Sequence, residues 1–129
     1  MSVKQVIVIR KDLNMRKGKC IVQGAHASMK IFFDRWHKVD NQNTFITDFL
    51  PDTMVQWIEG LFTKICVSVN SEAELLEIYE KAKEANIPVA LIEDAGLTEF
   101  KGILTKTCIA LGPDESEKID KLTGHLSLL

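Results

Sequence analysis

Short runs of branched apolar residues alternate along this chain with longer stretches whose apolar positions recur at helical spacing. Val6-Ile7-Val8-Ile9, within residues 5–10, is a run without polar alternation, the pattern of a strand buried on both faces. Residues 11–17 read as a charged loop. Residues 18 to about 38 read as a long helix with Cys20, Gly24, Ala27 and Ile31 on a small apolar face, extended by Phe32, Phe33 and Trp36. Residues 39–51 are polar and without a period, so they read as loop or insertion. Residues 52–59 predict a short helix with Asp52 as its N-cap and Gly60 as its stop. A second strand follows over 62–69. Ser71-Glu72-Ala73-Glu74 then matches a capping box, ahead of a helix whose stripe is Leu75, Leu76, Ile78, Tyr79 and Ala82. Residues 88–93 and 107–111 supply two more strands, and 116–122 a short helix or turn.

Strands alternating with helices predict an α/β fold. Right-handed crossovers put helices on both faces of the first three strands. The link from 94 to 106 is too short for a crossover helix, which makes the last two strands antiparallel neighbours. The expectation is a three-layer α/β/α sandwich around a four-stranded mixed sheet. At 129 residues, with no linker, repeat or low-complexity run, residues 1–129 read as one domain.

Composition adds limits. A net charge of -2 argues against a generic nucleic-acid coat. Yet Arg10, Lys11, Arg16, Lys17, Lys19 and Lys30 all fall in the first thirty residues, which is compatible with one electropositive face. The three cysteines are widely spaced and form no C-x-x-C pair, so each reads as a small buried hydrophobe in a reducing cytoplasm. No segment approaches the roughly 18 apolar residues of a membrane span. A cytoplasmic protein with no membrane partner is expected. Trp36 and Trp57 read as core.

The chemistry concentrates in two places. Lys17-Gly18-Lys19 opens the first helix, where unpaired backbone N–H groups and a partial positive charge suit a phosphate or an oxyanion. Lys19, Gln23, His26 and Lys30 follow at steps of four, three and four and share one helix face. Asp94 closes the third strand. Ligands of open α/β sheets bind beyond the carboxyl ends of strands, so the basic motif and Asp94 should meet at one edge. Two readings of Asp94 stand open: a turn-former in Asp94-Ala95-Gly96, or a carboxylate that orients or deprotonates water. Thr98 and Thr107 are a loop hydroxyl and a strand residue, or holders of a water or a substrate carbonyl. His26 is either a helical histidine bonded to a neighbour or a titrating member of the site. His37 and His125 read as structural. There is no nucleophile elbow, Walker loop or dinucleotide fingerprint, and Asp12, Glu93 and Asp94 make no metal set. No metal and no cofactor are expected.

Four segments also carry a resemblance. Lys17-Gly18-Lys19 with Gln23 and His26-Ala27 resembles the opening motif of the peptidyl-tRNA hydrolases of the archaeal/eukaryotic type. Asp94-Ala95-Gly96-Leu97-Thr98, then Thr105 to Pro113, then Ile119 to Leu126 with Thr123-Gly124, resemble that family's later motifs in the same order. The resemblance covers the chain apart from its middle. It implies hydrolysis of the ester joining a peptide to the terminal ribose of tRNA. It implies Lys19, Asp94, Thr98 and Thr107 as catalytic positions, with His26 beside them. The helix start and the shared helix face put Lys17, Gly18, Gln23 and Lys30 on the substrate. Peptidyl-tRNA is the implied partner, and a homodimer is compatible with it. The chain departs from the family at Leu97, where Arg is common, and at Phe100-Lys101-Gly102-Ile103-Leu104, which replaces a shorter connection. Two other functions fit the residues less well: a non-catalytic RNA-end-binding module, which would have lost Asp94 or Thr98, and a phosphate-binding regulatory domain.

Overall fold

In the computed structural model, which describes residues 2–97 and 99–129, ten elements of regular structure follow one another. They are β1 (Val3–Arg10), α1 (Lys17–Phe33), β2 (Trp36–Lys38), β3 (Phe45–Thr47), α2 (Asp52–Glu59), β4 (Lys64–Val69), α3 (Glu72–Glu84), β5 (Val89–Asp94), β6 (Thr105–Glu115) and α4 (Ser116–Thr123). A 3-10 turn at Lys11–Leu13 joins β1 to the approach of α1. Four strands form one sheet in the order β4-β1-β6-β5, with β1 and β4 parallel and β6 antiparallel to both β1 and β5. The mixed sheet and the antiparallel final pair are as the sequence predicts.

Burial explains the order. β1 and β6 are the central strands, and Val6, Val8, Cys108, Ile109, Ala110 and Leu111 are all but inaccessible. On one face Val6, Val8, Val67, Ile109 and Leu111 pack with Leu75, Ile78 and Ala82 of α3 and Ile119 of α4. On the other, Ile7, Ile9, Ala90, Cys108 and Ala110 pack with Ala27 and Ile31 of α1 and Met54 of α2. These are the three layers. α3 starts as its capping pattern predicts: Ser71 Oγ accepts the Glu74 N–H at 3.1 Å. The reciprocal bond is displaced by one residue, since Glu74 Oε2 accepts from the Asn70 N–H at 3.3 Å. Among the described residues no helix is long and apolar enough to cross a membrane.

The middle of the chain differs from its sequence reading. The first helix ends at Phe33, five residues short of the predicted stop, because Trp36–Lys38 leave it to pair with Phe45–Thr47. The segment read as loop is therefore half a hairpin. Trp36 lies on that hairpin, 43% exposed, with its ring 4.9 Å from Phe33 and 5.9 Å from Phe45. It is not core; Trp57 is. Asp52 is the first helical residue of α2 rather than its cap, a position taken by Pro51.

Candidate active site

β1 and β5 run in the same direction, so their carboxyl ends share one edge of the sheet. β1 leads through the 3-10 turn into α1, and β5 ends on Asp94. The two sequence motifs meet there. Lys19 Nζ lies 2.8 Å from Asp94 Oδ2, a contact between residues 75 positions apart. The same oxygen accepts a hydrogen bond from Gln23 Nε2 at 3.0 Å. The other oxygen, Oδ1, accepts the Gly96 N–H at 2.7 Å. The turn-forming reading of Asp94 therefore holds, and its second oxygen stays at the edge. One oxygen makes the Asx turn that Asp-Ala-Gly predicts, and the other faces a lysine.

Gln23 is wholly buried, one α-helical turn beyond Lys19. A carboxylate can only accept, so the Gln23 NH₂ must face Asp94 and its carbonyl must face away. The Thr107 hydroxyl completes the arrangement by donating to Gln23 Oε1 at 2.5 Å. Cys108 Sγ reaches the Gln23 main-chain carbonyl at 3.3 Å. Thr107 is itself fully buried. Its hydroxyl touches Gln23 and acts on the edge only through it. Gly96 has φ +80°, and a Cβ there would stand 2.6 Å from the Ile103 nitrogen, so the loop after Asp94 closes backbone against backbone.

The carboxyl of Asp94 is held below the usual carboxylate range. The hydrogen bond from Lys19 is the largest cause, partial burial opposes it, and the Gly96 N–H, the Lys19 charge and Gln23 add to it. Glu99 is also lowered, first by its hydrogen bond from Arg16, at 2.8 Å. Burial raises the Cys66 thiol to about 11 and Cys108 to about 12, and raises Cys20 as well. All three are free thiols and poor nucleophiles near neutral pH.

The remaining sequence candidates are placed less centrally. Lys17 and Gly18 are exposed in the first turn of α1. His26 is exposed, about 60° round the helix from Gln23, and joins none of the hydrogen bonds of the Asp94 cluster. Lys30 is about 16 Å along the helix axis from Lys19 and pairs with Asp34 at 2.7 Å. Thr98 lies outside the described residues. The basic face is partly neutralised from within, because Arg10 pairs with Asp12 at 2.7 Å and Arg16 with Glu99. Sequence reading missed the Gly96 N–H, the Arg16–Glu99 tie and Phe100, whose ring centroid is 5.6 Å from Lys19 Nζ. The Asp-Ala-Gly turn was a signal for the first; the other two depend on how the loop folds back. Among the described residues no group of three or more His, Cys, Asp or Glu side chains could hold a metal ion.

Comparison with known proteins gives a consistent result. The family model described as "Peptidyl-tRNA hydrolase PTH2" matches residues 3–129. A relative from Methanocaldococcus jannaschii named "Peptidyl-tRNA hydrolase" is 42% identical over 127 residues, covering 98% of this chain and 100% of the relative. Proteins with the same name from Methanothermobacter thermautotrophicus (45% over 128 residues, 98% of this chain and 100% of the relative) and Nanoarchaeum equitans (46% over 126, 98% of each) are similarly related.

Proposed function

The chain belongs to the peptidyl-tRNA hydrolase family PTH2, and from that premise we propose that Lys19, Gln23, Asp94 and Thr107 are the working centre of an enzyme that hydrolyses the ester of peptidyl-tRNA. Thr98 joins them on its sequence match. Residues 1–129 act as one domain, and the enzyme serves translation in the cytoplasm.

Ester hydrolysis needs a water aimed at the carbonyl carbon and a stabilised tetrahedral oxyanion. Lys19 supplies a positive charge, held at 2.8 Å from Asp94 at the sheet edge. An ionised carboxylate offers about four acceptor positions. Lys19, Gln23 and the Gly96 N–H occupy three at Asp94. Among the described residues Oδ1 accepts only the Gly96 N–H, and its other acceptor position orients the attacking water. A carboxylate held below its usual pKa is a weak base, so Asp94 directs the water and anchors Lys19 rather than accumulating a proton. Gln23 and Thr107 hold the carboxylate's geometry from beneath. Lys17 and Gly18, at the start of α1, meet the phosphates of the tRNA end. His26 and Lys30 extend that contact along the same helix face.

The observation that carries this reading is the meeting of Lys19, Gln23 and Asp94 at one sheet edge. It is tested by release of labelled N-acyl-amino acid from N-acyl-aminoacyl-tRNA. Lys19→Ala is expected to stay folded and to lose about a hundredfold in kcat, the scale for losing an oxyanion-stabilising group. Normal turnover by this variant would move the chemistry elsewhere.

Self-association has support of its own. Ile21, Val22 and Met29 on α1, with Ile58, Leu61 and Phe62 at the end of α2, are exposed large apolar side chains. Beside α1 runs a groove of about 750 Å³ over Ile7, Ile9 and Cys66, on a stretch of sheet that α1 and α2 leave open. A second copy applied to this face is the homodimer, and sedimentation reads it directly.

A further inference from the structure

The loop that leaves Asp94 carries a second, apolar surface. Leu97 is 87% exposed, Ile103 65% and Leu104 64%. A single exposed leucine carries little information. Three large aliphatic side chains exposed within eight residues, on the loop that follows Asp94, are a local concentration of apolar surface. The rest of the loop is employed differently. Glu99 pairs with Arg16 just before α1, and Phe100 lies against Lys19. The Gly102 N–H donates to the Gly96 carbonyl at 2.8 Å, and the Ile103 N–H to that of Phe100 at 2.9 Å. Glu99 and Phe100 thus fasten the loop to the site, while the three aliphatic side chains and Lys101 face water.

Resting on the assignment of hydrolysis to the Lys19–Asp94 edge, we propose that Leu97, Ile103 and Leu104 form an apolar lip. The lip receives the side chain of the amino acid esterified to the tRNA, so the enzyme prefers large aliphatic residues there. The chemistry of the ester decides between its two sides. With the carbonyl beside Lys19, the acyl side presents an α-carbon and its side chain one bond away. The alcohol side presents a polar ribose and then a flat base. Bases are gripped by aromatic faces, guanidinium planes and edge hydrogen bonds. The three lip side chains are aliphatic, the exposed Lys101 between them has no flat face for a base, and the neighbouring Phe100 already has the Lys19 ammonium near its ring. An aliphatic surface matches an aliphatic side chain, by exclusion of water from both.

The test uses one tRNA body charged with N-acetyl-leucine or N-acetylglycine, comparing kcat/KM. The wild-type protein is expected to favour the leucyl ester about tenfold, the lower end of what apolar contacts discriminate. In the triple variant Leu97→Ser, Ile103→Ser, Leu104→Ser that ratio is expected to fall to near one, with Leu97→Ser alone giving a partial fall. All three side chains are exposed, so thermal unfolding should be little changed; if the triple variant is unfolded, Leu97→Ser decides. A wild-type ratio near one overturns the proposal, as does a ratio that survives the triple substitution. So does an equal loss on both esters, which would put the lip on the common tRNA end. Full activity of Asp94→Asn on both esters would instead overturn the underlying site assignment, independently of the ratio.

Discussion

Two buried glutamines join α1 to the sheet by the same device and lead to different ends. Gln23 takes a hydrogen bond from the Thr107 hydroxyl on its carbonyl and gives one to Asp94 from its amide nitrogen. Gln5 takes one from the Ser28 hydroxyl, at 2.6 Å, and gives one to the Gly112 carbonyl at 3.2 Å. Both side chains are fully inaccessible, and a buried amide must be satisfied at both ends. The Gln5 chain stops on a neutral backbone carbonyl and serves packing. The Gln23 chain stops on a carboxylate at the rim, which also holds Lys19. A buried polar chain therefore takes its role from its last acceptor. Its own pattern of donors and acceptors says only that the core is satisfied.

That contrast can be broken most severely at the acceptor. Asp94→Asn keeps the shape and the Gly96 turn but removes the charge that holds Lys19. Turnover is expected to fall by a hundredfold or more, with thermal stability little changed. Near-normal turnover of the folded variant would reduce the Gln23 chain to the same packing role as the Gln5 chain.

A smaller loss is expected from Thr107→Val. It strands the Gln23 carbonyl in a place water does not reach, at a cost of about 1–3 kcal/mol in stability. It also frees the amide to turn, so kcat should drop about tenfold while KM stays near its wild-type value. Thr107→Ser, which restores the hydroxyl, should recover kcat; failure to do so would make Thr107 a packing residue. Denaturant unfolding and steady-state kinetics together separate the two effects.

The pH profile sharpens the comparison without a substitution. A carboxyl whose folded pKa is depressed stays charged down to that lower value. Its contribution to stability is complete above the unfolded pKa and is lost as pH falls through the folded one. The acid limb of kcat/KM is accordingly expected below about pH 4, the ordinary carboxylate value. A limb near neutrality would assign the critical titration to a group other than Asp94.

The smallest effect belongs to Ser28→Ala. Ser28 lines the groove beside α1, so water can take the place of its hydroxyl against Gln5. A stability loss of about 1 kcal/mol or less is expected, with kinetics unchanged. A change in kcat matching that of Thr107→Val would erase the distinction between the two chains.

The sequence by itself determined the elements of the four-stranded sheet and the edge at which Lys19 and Asp94 meet. Val6–Ile9, the Ser71 cap and the stripe Leu75, Ile78, Ala82 are local patterns, and the backbone answers them locally. The short link after Asp94 required an antiparallel pair, and strand direction then brought Lys19 and Asp94 to one end of the sheet. Tertiary structure decided what each side chain on that edge does. Lys19, Gln23, His26 and Lys30 share a helix face by period. Thr107 on β6 lies beneath Gln23 alone, while His26 stays in water and Lys30 turns to Asp34. Helical period fixes azimuth, but burial and hydrogen-bond partners come from the strand beneath, which is distant in sequence. For the same reason Trp36 could not be placed from its neighbours: its exposure follows from pairing with Phe45–Thr47, a contact no local pattern announced. The loop from Gly96 to Leu104 folds back through the Gly96 backbone and the Arg16–Glu99 pair, so the outward turn of its aliphatic side chains exists only in three dimensions.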